Sequence, residues 1–261
     1  MGHILGGHGI GQDGAKVVLG RWLDLETTAE LDPLTVLGAL ARARCSIVIA
    51  GAPGCGKTTL LSCCTAELDP SLRVVVAEEV FETDIPVANV ASMQTRPARG
   101  DRAPVDLRRL VAGFLRMAPD VAIVGEVRDR EALPLLLTLS SGVKGLTTIH
   151  AGSARQALTR LRFVCQLAAV DLPMAALNTL VAEAIDVVVH CRRTDAGPRV
   201  AEIVAVEDLA GGAEATQFTI TPLFVRDDTT SELTWTGQIP VRLLGQLRAA
   251  GVDLRALLEP S

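Results

Sequence analysis

The stretch GAPGCGKTT, Gly51 to Thr59, constrains this chain more than any other. It satisfies the pattern G-x-x-x-x-G-K-[ST] at Gly51, Gly56, Lys57 and Thr58. Just before it runs CSIVIA, Cys45 to Ala50, a short apolar segment rich in β-branched residues, which predicts a buried strand. Just after it TLLSCCTAEL, Thr59 to Leu68, has neither Gly nor Pro and predicts a helix. Strand, glycine loop and helix in that order make a cradle for phosphate. The glycines let the backbone turn tightly and aim N–H groups at anionic oxygens, and the helix N-terminus adds the positive end of its dipole. Lys57 is placed to reach the β- and γ-phosphates of a nucleotide, and the Thr58 hydroxyl to hold Mg²⁺. The candidate nucleotide-binding residues are Gly51, Ala52, Pro53, Gly54, Cys55, Gly56, Lys57, Thr58 and Thr59. The alternative, a glycine-rich turn with no ligand, is disfavoured by the correct flanks.

Three further strands are each expected to deliver polar chemistry. RVVVA, Arg73 to Ala77, runs into Glu78, Glu79, Glu82 and Asp84. A solvated loop is the bland reading, but the carboxyl end of a buried strand is where parallel sheets put their ligands. DVAIVG, Asp120 to Gly125, is followed at once by Glu126, as in the Walker B arrangement, where a strand-end carboxylate meets Mg²⁺ or its water. Leu146 to Ile149 delivers His150, either a structural histidine or a sensor of the γ-phosphate. Arg96, Arg99, Arg102, Arg108, Arg109 and Arg116 read mostly as a solvated face, with one or two available to act as arginine fingers across a subunit boundary.

Between these strands helical signals recur. Asp32-Pro33 gives a cap and a first-turn proline for a helix to Arg44. Asp106 opens a helix to Met117, and a helix from Asp129 to Ser141 closes on Gly142. Ser153 and Gln156 form a capping box for a helix to about Val170, another helix follows Pro173, and Ile185 to His190 is a further strand. Beyond Arg193 the pattern alternates, with strands at Val200–Val206, Gln217–Val225 and Leu233–Trp235 and a last helix from Val241 to Ala250. The expected fold is α/β with a mainly parallel central sheet and a small antiparallel strand and helix extension. The expected divisions are a flexible lead-in at 1–31, a core at 32–193 and the extension at 194–261.

Hydrophobic residues make up 49% of the chain and charged residues 21%, which excludes a disordered protein. No run approaches the roughly 18 apolar residues of a membrane span, and the N-terminus lacks the pattern of a secretory signal. A soluble, cytoplasmic protein is expected. The net charge of −5, with two Trp, five Phe and no Tyr, argues against nucleic acid as a partner. Six cysteines without a C-x-x-C pair read as reduced, buried hydrophobes, with Cys55 a filler inside the phosphate loop.

Taken together the motifs resemble a known family. AEEVFETDI (Ala77–Ile85) resembles the acidic Asp box of the ATPases of type II and type IV secretion and type IV pili. LRMAPDVAIVGEVRDREA (Leu115–Ala132) resembles their Walker B segment, and SGVKGLTTIHAGSARQALTRL (Ser141–Leu161) their His box. Leu233 to Leu258 resembles the tail of the tight-adherence (Flp) pilus branch. The resemblance implies a RecA-like P-loop ATPase core that hydrolyses ATP with Mg²⁺ as a ring, a hexamer, beneath an inner-membrane platform protein. It implies Thr58 and Glu126 at the metal, Glu78 or Glu82 activating water, and His150 near the γ-phosphate. Arg96, Arg116 and Arg128 become charge stabilisers. Glu78-Glu79 departs from the family's usual Glu-Asp, which leaves the base open. The family's separate N-terminal domain has no counterpart beyond residues 1–31, so the motor domain alone is expected. The alternatives are a truncated nucleotide-binding subunit with little turnover and a RecA-like nucleic-acid motor.

Overall fold

A computed structural model describes residues 33–168, 171–210, 217–230, 232–249 and 251–252. The lead-in at 1–31 and the Asp32 cap lie outside the described residues. The strands are β1 (Ile47–Gly51), β2 (Arg73–Glu78), β3 (Asn89–Gln94), β4 (Val121–Val127), β5 (Lys144–Ile149), β6 (Val187–Thr194), β7 (Gly197–Val206), β8 (Ile220–Arg226) and β9 (Leu233–Trp235). Among the described residues they form one sheet in the order β3-β2-β4-β5-β1-β6-β7-β8-β9. Pairing is parallel from β3 across to β6 and antiparallel from there to β9. The helices are α1 (Pro33–Arg42), α2 (Lys57–Thr65), α3 (Leu107–Val111), α4 (Ala132–Ser140), α5 (Ala154–Ala168), α6 (Met174–Ala184) and α7 (Val241–Ala249).

The apolar runs of the strands follow from burial on both faces. In β1, Ile47 and Ile49 pack on one side with Leu37 and Leu40 of α1, Leu60 and Leu61 of α2, and Leu243 and Leu247 of α7. Val48 and Ala50 pack on the other, with Leu135 of α4, Leu158 and Leu161 of α5 and Val181 of α6. A strand's alternate side chains point to opposite faces, so a doubly covered parallel sheet needs apolar residues at every position. The helix after β1 therefore lies on one face and the helix after the adjacent β5 on the other. Between two such strands their C-terminal ends open a crevice, the place where open α/β sheets bind ligands.

The C-terminal strands extend the same sheet, and α7 is fastened beneath it. Glu207 accepts hydrogen bonds from the Val241 and Arg242 N–H groups, 3.0 Å each, closing the N-terminus of α7. Asp186 has a side chain 0% exposed and accepts from Ser46 N (2.7 Å), Lys144 Nζ (2.8 Å), Gln246 Nε2 (3.0 Å) and Arg242 Nη2 (3.2 Å). Such a buried carboxylate is tolerated because every neighbour is a donor. Gly251, at φ 76°, ends α7, with its N–H on Arg248 O and the Val252 N–H on Leu247 O.

Local signals misplace some ends. The helix expected from Asp106 to Met117 stops at Val111 and resumes as a 3₁₀ turn, Phe114–Met117. Asp106 does cap, accepting from Arg109 N at 2.8 Å. Gly113 weakens the helix, and complete burial of Phe114 redirects the chain. The helix expected from Asp129 begins at Ala132, because Glu131 accepts from Arg128 N and Asp129 N at 2.5 and 2.8 Å and holds a turn. At Ser153 the capping box is displaced. The Ser153 hydroxyl accepts from Gln156 N at 3.1 Å, but Gln156 Oε1 accepts from Gly152 N instead of closing on Ser153. Glu202 of β7 accepts from Ala154 N at 2.7 Å, so the segment carrying His150 is held from the antiparallel part of the sheet as well.

Candidate active site

The phosphate loop leaves β1 at Gly51 and enters α2 through Gly56, whose φ of 80° is left-handed and suits glycine. A Cβ on Gly51 would lie 2.4 Å from both the Cys191 carbonyl and Cys55 Sγ, so the loop base closes only without a side chain. Cys55 is fully buried beneath it, and burial raises its thiol pKa, as suits a packed filler that stays reduced.

Lys57 is 7% exposed. Its Nζ donates to the Ala52 carbonyl at 3.1 Å and stands 3.2 Å from His150 Nδ1, which is itself 3.2 Å from the Gly51 carbonyl. His150 Nε2 lies 2.7 Å from Glu126 Oε1. Arg128 then holds Glu126 Oε2 at 2.8 Å and Glu79 Oε2 at 3.1 Å. An ammonium only donates, so in a neutral ring facing it Nδ1 accepts and the hydrogen sits on Nε2. Burial works against the charged form of Glu126. The Arg128 hydrogen bond, the facing ring of His150 and the charges of Arg128 and Lys57 outweigh it and hold the carboxyl pKa below its ordinary value. Sheet order produces this line of charge: β4 and β1 flank β5, so their carboxyl ends bring Glu126 and Lys57 to either side of His150.

Glu78, at the end of β2, is 4% exposed. Its Oε1 accepts from the Thr83 hydroxyl (2.6 Å), Thr83 N (3.0 Å) and Glu82 N (3.3 Å), so the acidic loop wraps around it. Glu79 and Glu82 are exposed. A cleft of about 220 Å³ is lined by Thr58, Glu78, Glu79, Val80, Glu82, Gly125, Glu126 and Arg128. Gly125 makes room within it: a Cβ there would sit 2.9 Å from Glu78 Cγ. Gly125→Ala is therefore expected to displace Glu78 and lower hydrolysis more than tenfold, at nucleotide affinity within about threefold of wild type, since effects of about 10² follow from misplacing a reacting group. Parallel binding and turnover assays check it.

The structure brings Lys57, Thr58, Glu78, Glu82, Glu126, Arg128 and His150 to one crevice. It does not bring Arg96 or Arg116 there. Arg96 turns back to the Ala103 carbonyl at 3.1 Å, and Arg116 is exposed on the 3₁₀ turn. Sequence reasoning left Glu79 out of the site and did not assign Glu131, which braces the Arg128 backbone. The Arg128/Glu131 spacing was the available signal. It becomes meaningful only once the turn is known.

The residues suit a magnesium nucleoside triphosphate. Orphan N–H groups of the first turn of α2 suit phosphate. The Thr58 hydroxyl and Glu126 carboxylate line one cleft, and both are hard oxygen ligands. Among the described residues no group of three or more His, Cys, Asp or Glu could cage a metal. A Mg²⁺ ion here would therefore complete its shell with phosphate oxygens and water.

Comparison with known proteins finds relatives of this chain. The conjugal transfer protein TrbB of Rhizobium radiobacter is 37% identical over 168 residues, 63% of this chain and 49% of that protein. The type IV secretion system protein PtlH of Bordetella pertussis is 38% identical over 153 residues, 57% of this chain and 45% of that protein. The chain thus spans about half the length of these relatives. The crystal structure of the VirB11 ATPase from the Brucella suis type IV secretion system, in complex with sulphate, superposes with a TM-score of 0.60. It covers 72% of this chain and 60% of that one at 24% identity, a likeness of fold. The family model described as "Type II/IV secretion system protein" matches residues 20–239, and the chain belongs to that family.

Proposed function

We propose that this chain hydrolyses ATP to ADP and phosphate, with Mg²⁺, as the motor of a pilus-assembly or secretion machine. The observation that carries this reading is the unbroken line Lys57, His150, Glu126, Arg128 at the crevice between β1 and β5. Lys57 exchanges the Ala52 carbonyl for the β- and γ-phosphates. Thr58 and Glu126 hold Mg²⁺, which when bound neutralises phosphate charge. Glu78, its orientation fixed by Thr83, takes the proton of the attacking water, while Glu82 stays at the exposed rim. His150 holds Lys57 and Glu126 in register beside the γ-phosphate. Arg128 keeps Glu126 ionised.

Neither Arg96 nor Arg116 lines its own cleft, and the exposed Arg116 suits a group presented to a neighbouring copy. The working form is then a ring, a hexamer, in which phosphoryl transfer gains the 10³–10⁵-fold that a finger in trans supplies. Among the described residues no helix is long and apolar enough to cross a membrane. We place the protein in the cytoplasm, at the inner face of the membrane through a platform protein. Within the family we assign it to the tight-adherence pilus branch, on the likeness of the stretch from Leu233. We keep the division at 193/194, at the end of β6, beyond which the chain turns back into the antiparallel β7. Specific activity across a dilution series tests the ring. It is expected to rise with protein concentration in step with assembled mass, and a constant, fast rate from a monomer overturns the reading.

A further inference from the structure

The chemistry above occupies one flank of the phosphate loop. Thr58, Glu126, Arg128 and His150 belong to the β4–β5 side, and the loop apex overhangs the other side, toward β6. There Arg193, the penultimate residue of β6, is exposed and reaches over the loop, its Nη1 donating to the Gly54 carbonyl at 3.2 Å. Among the described residues this is the only hydrogen bond of its side chain. A guanidinium carries several N–H donors in a fixed planar fork, so one bond to a carbonyl leaves most of them unused.

Its position is built. β6 pairs with β1 in parallel register, with Gly51 opposite Cys191, so Arg193 emerges two residues past the loop base at the same sheet edge. Its neighbour Arg192 is bound to Asp228 at 2.5 Å. A nucleotide whose terminal phosphates meet Lys57 and Glu126 must run its nucleoside end away from the β4 flank, because Glu78, Glu79 and Glu82 line that side. The course that remains passes the apex, beside Arg193.

We infer that Arg193 is a nucleoside-reading residue: it fixes the loop apex through Gly54 and turns its remaining N–H groups or its planar face to the ribose and base. This rests on the proposed nucleotide site, and it adds a contact that phosphate alone cannot use. Hydrogen bonds from a charged donor and stacking on a guanidinium both favour a flat, acceptor-bearing ring.

The test compares ATP with inorganic tripolyphosphate, which has the phosphates but no nucleoside. Direct binding of each is measured on wild type, Arg193→Ala and Arg193→Lys. Arg193→Ala is expected to weaken ATP about tenfold, the value of one charge-assisted contact, and tripolyphosphate less than threefold. Arg193→Lys, which keeps the charge and loses the fork, is expected to fall between the two for ATP. Equal weakening of both ligands reduces Arg193 to a loop tether and overturns the inference, as does unchanged ATP affinity. Failure of wild type to bind either ligand overturns the nucleotide site itself. Wild-type binding with an unaltered Arg193→Ala overturns only the role of Arg193.

Discussion

Replacing Lys57 with alanine is expected to abolish ATP binding at working concentrations. Lys57 is the buried cation of the loop. In the structure its ammonium is held by a carbonyl and an imidazole, neutral partners that it can leave for phosphate. A hydrogen bond from a charged group contributes about 1.5–3 kcal/mol, and two phosphates share this one, so the dissociation constant should rise by about 10²-fold or more. The fold should survive, because neither partner is an ion that depends on Lys57 for its counter-charge. Titration of ATP against the variant, with its thermal midpoint measured alongside, checks both statements. An unchanged affinity in a folded variant removes the site from the phosphate loop.

The second large effect separates the carboxylates. Glu78→Gln keeps the acceptor for Thr83 and nearly the same shape, but a neutral amide cannot take a proton from water. Turnover should fall by about 10²–10⁴, the usual contribution of a general base, with ATP affinity little changed. Glu126→Gln should also retain ATP and hydrolyse it slowly, for a different reason: the charge that meets Mg²⁺ and pairs with Arg128 is gone. Glu82→Gln should cost much less, because Glu82 is exposed while Glu78 is held by three donors. Single-turnover rates with saturating ATP distinguish the three. A large loss at Glu82 with none at Glu78 exchanges their roles, and no loss at either makes the acidic loop a solvated one.

Much of this was legible without coordinates, for a local reason. The phosphate loop needs glycines at fixed spacing between a β-branched run and a helix, and that requirement is satisfied within residues 45–68. The strands from Arg73, Asp120 and Leu146 each end in the polar group that the crevice uses, because a buried parallel strand shows its period as an unbroken apolar run. The two helix boundaries that differ from local expectation do so for separate reasons. Burial of Phe114 outweighs propensity after Val111 and is not visible in a short window, whereas Glu131 turns back onto the Arg128 and Asp129 N–H groups, a local bond that competes with a helix start at Asp129.

By itself, then, the sequence determined the α/β class, the phosphate loop and the candidates Lys57, Thr58, Glu126 and His150, since each depends on neighbours a few residues away. Tertiary structure alone decided that Glu78 is clasped while Glu82 is exposed, that Glu79 and Glu126 share Arg128, that Arg96 and Arg116 stand outside the cleft, and that Arg193 reaches the loop. The clasp on Glu78 comes from the fold of its own loop. The pairing through Arg128 and the reach of Arg193 come from a sheet order in which β5 lies between β4 and β1, with β6 on β1's far side. The last of these joins residues 139 positions apart, Arg193 and Gly54. They are fixed by the packing of both faces at once and not by any periodicity within the strands themselves.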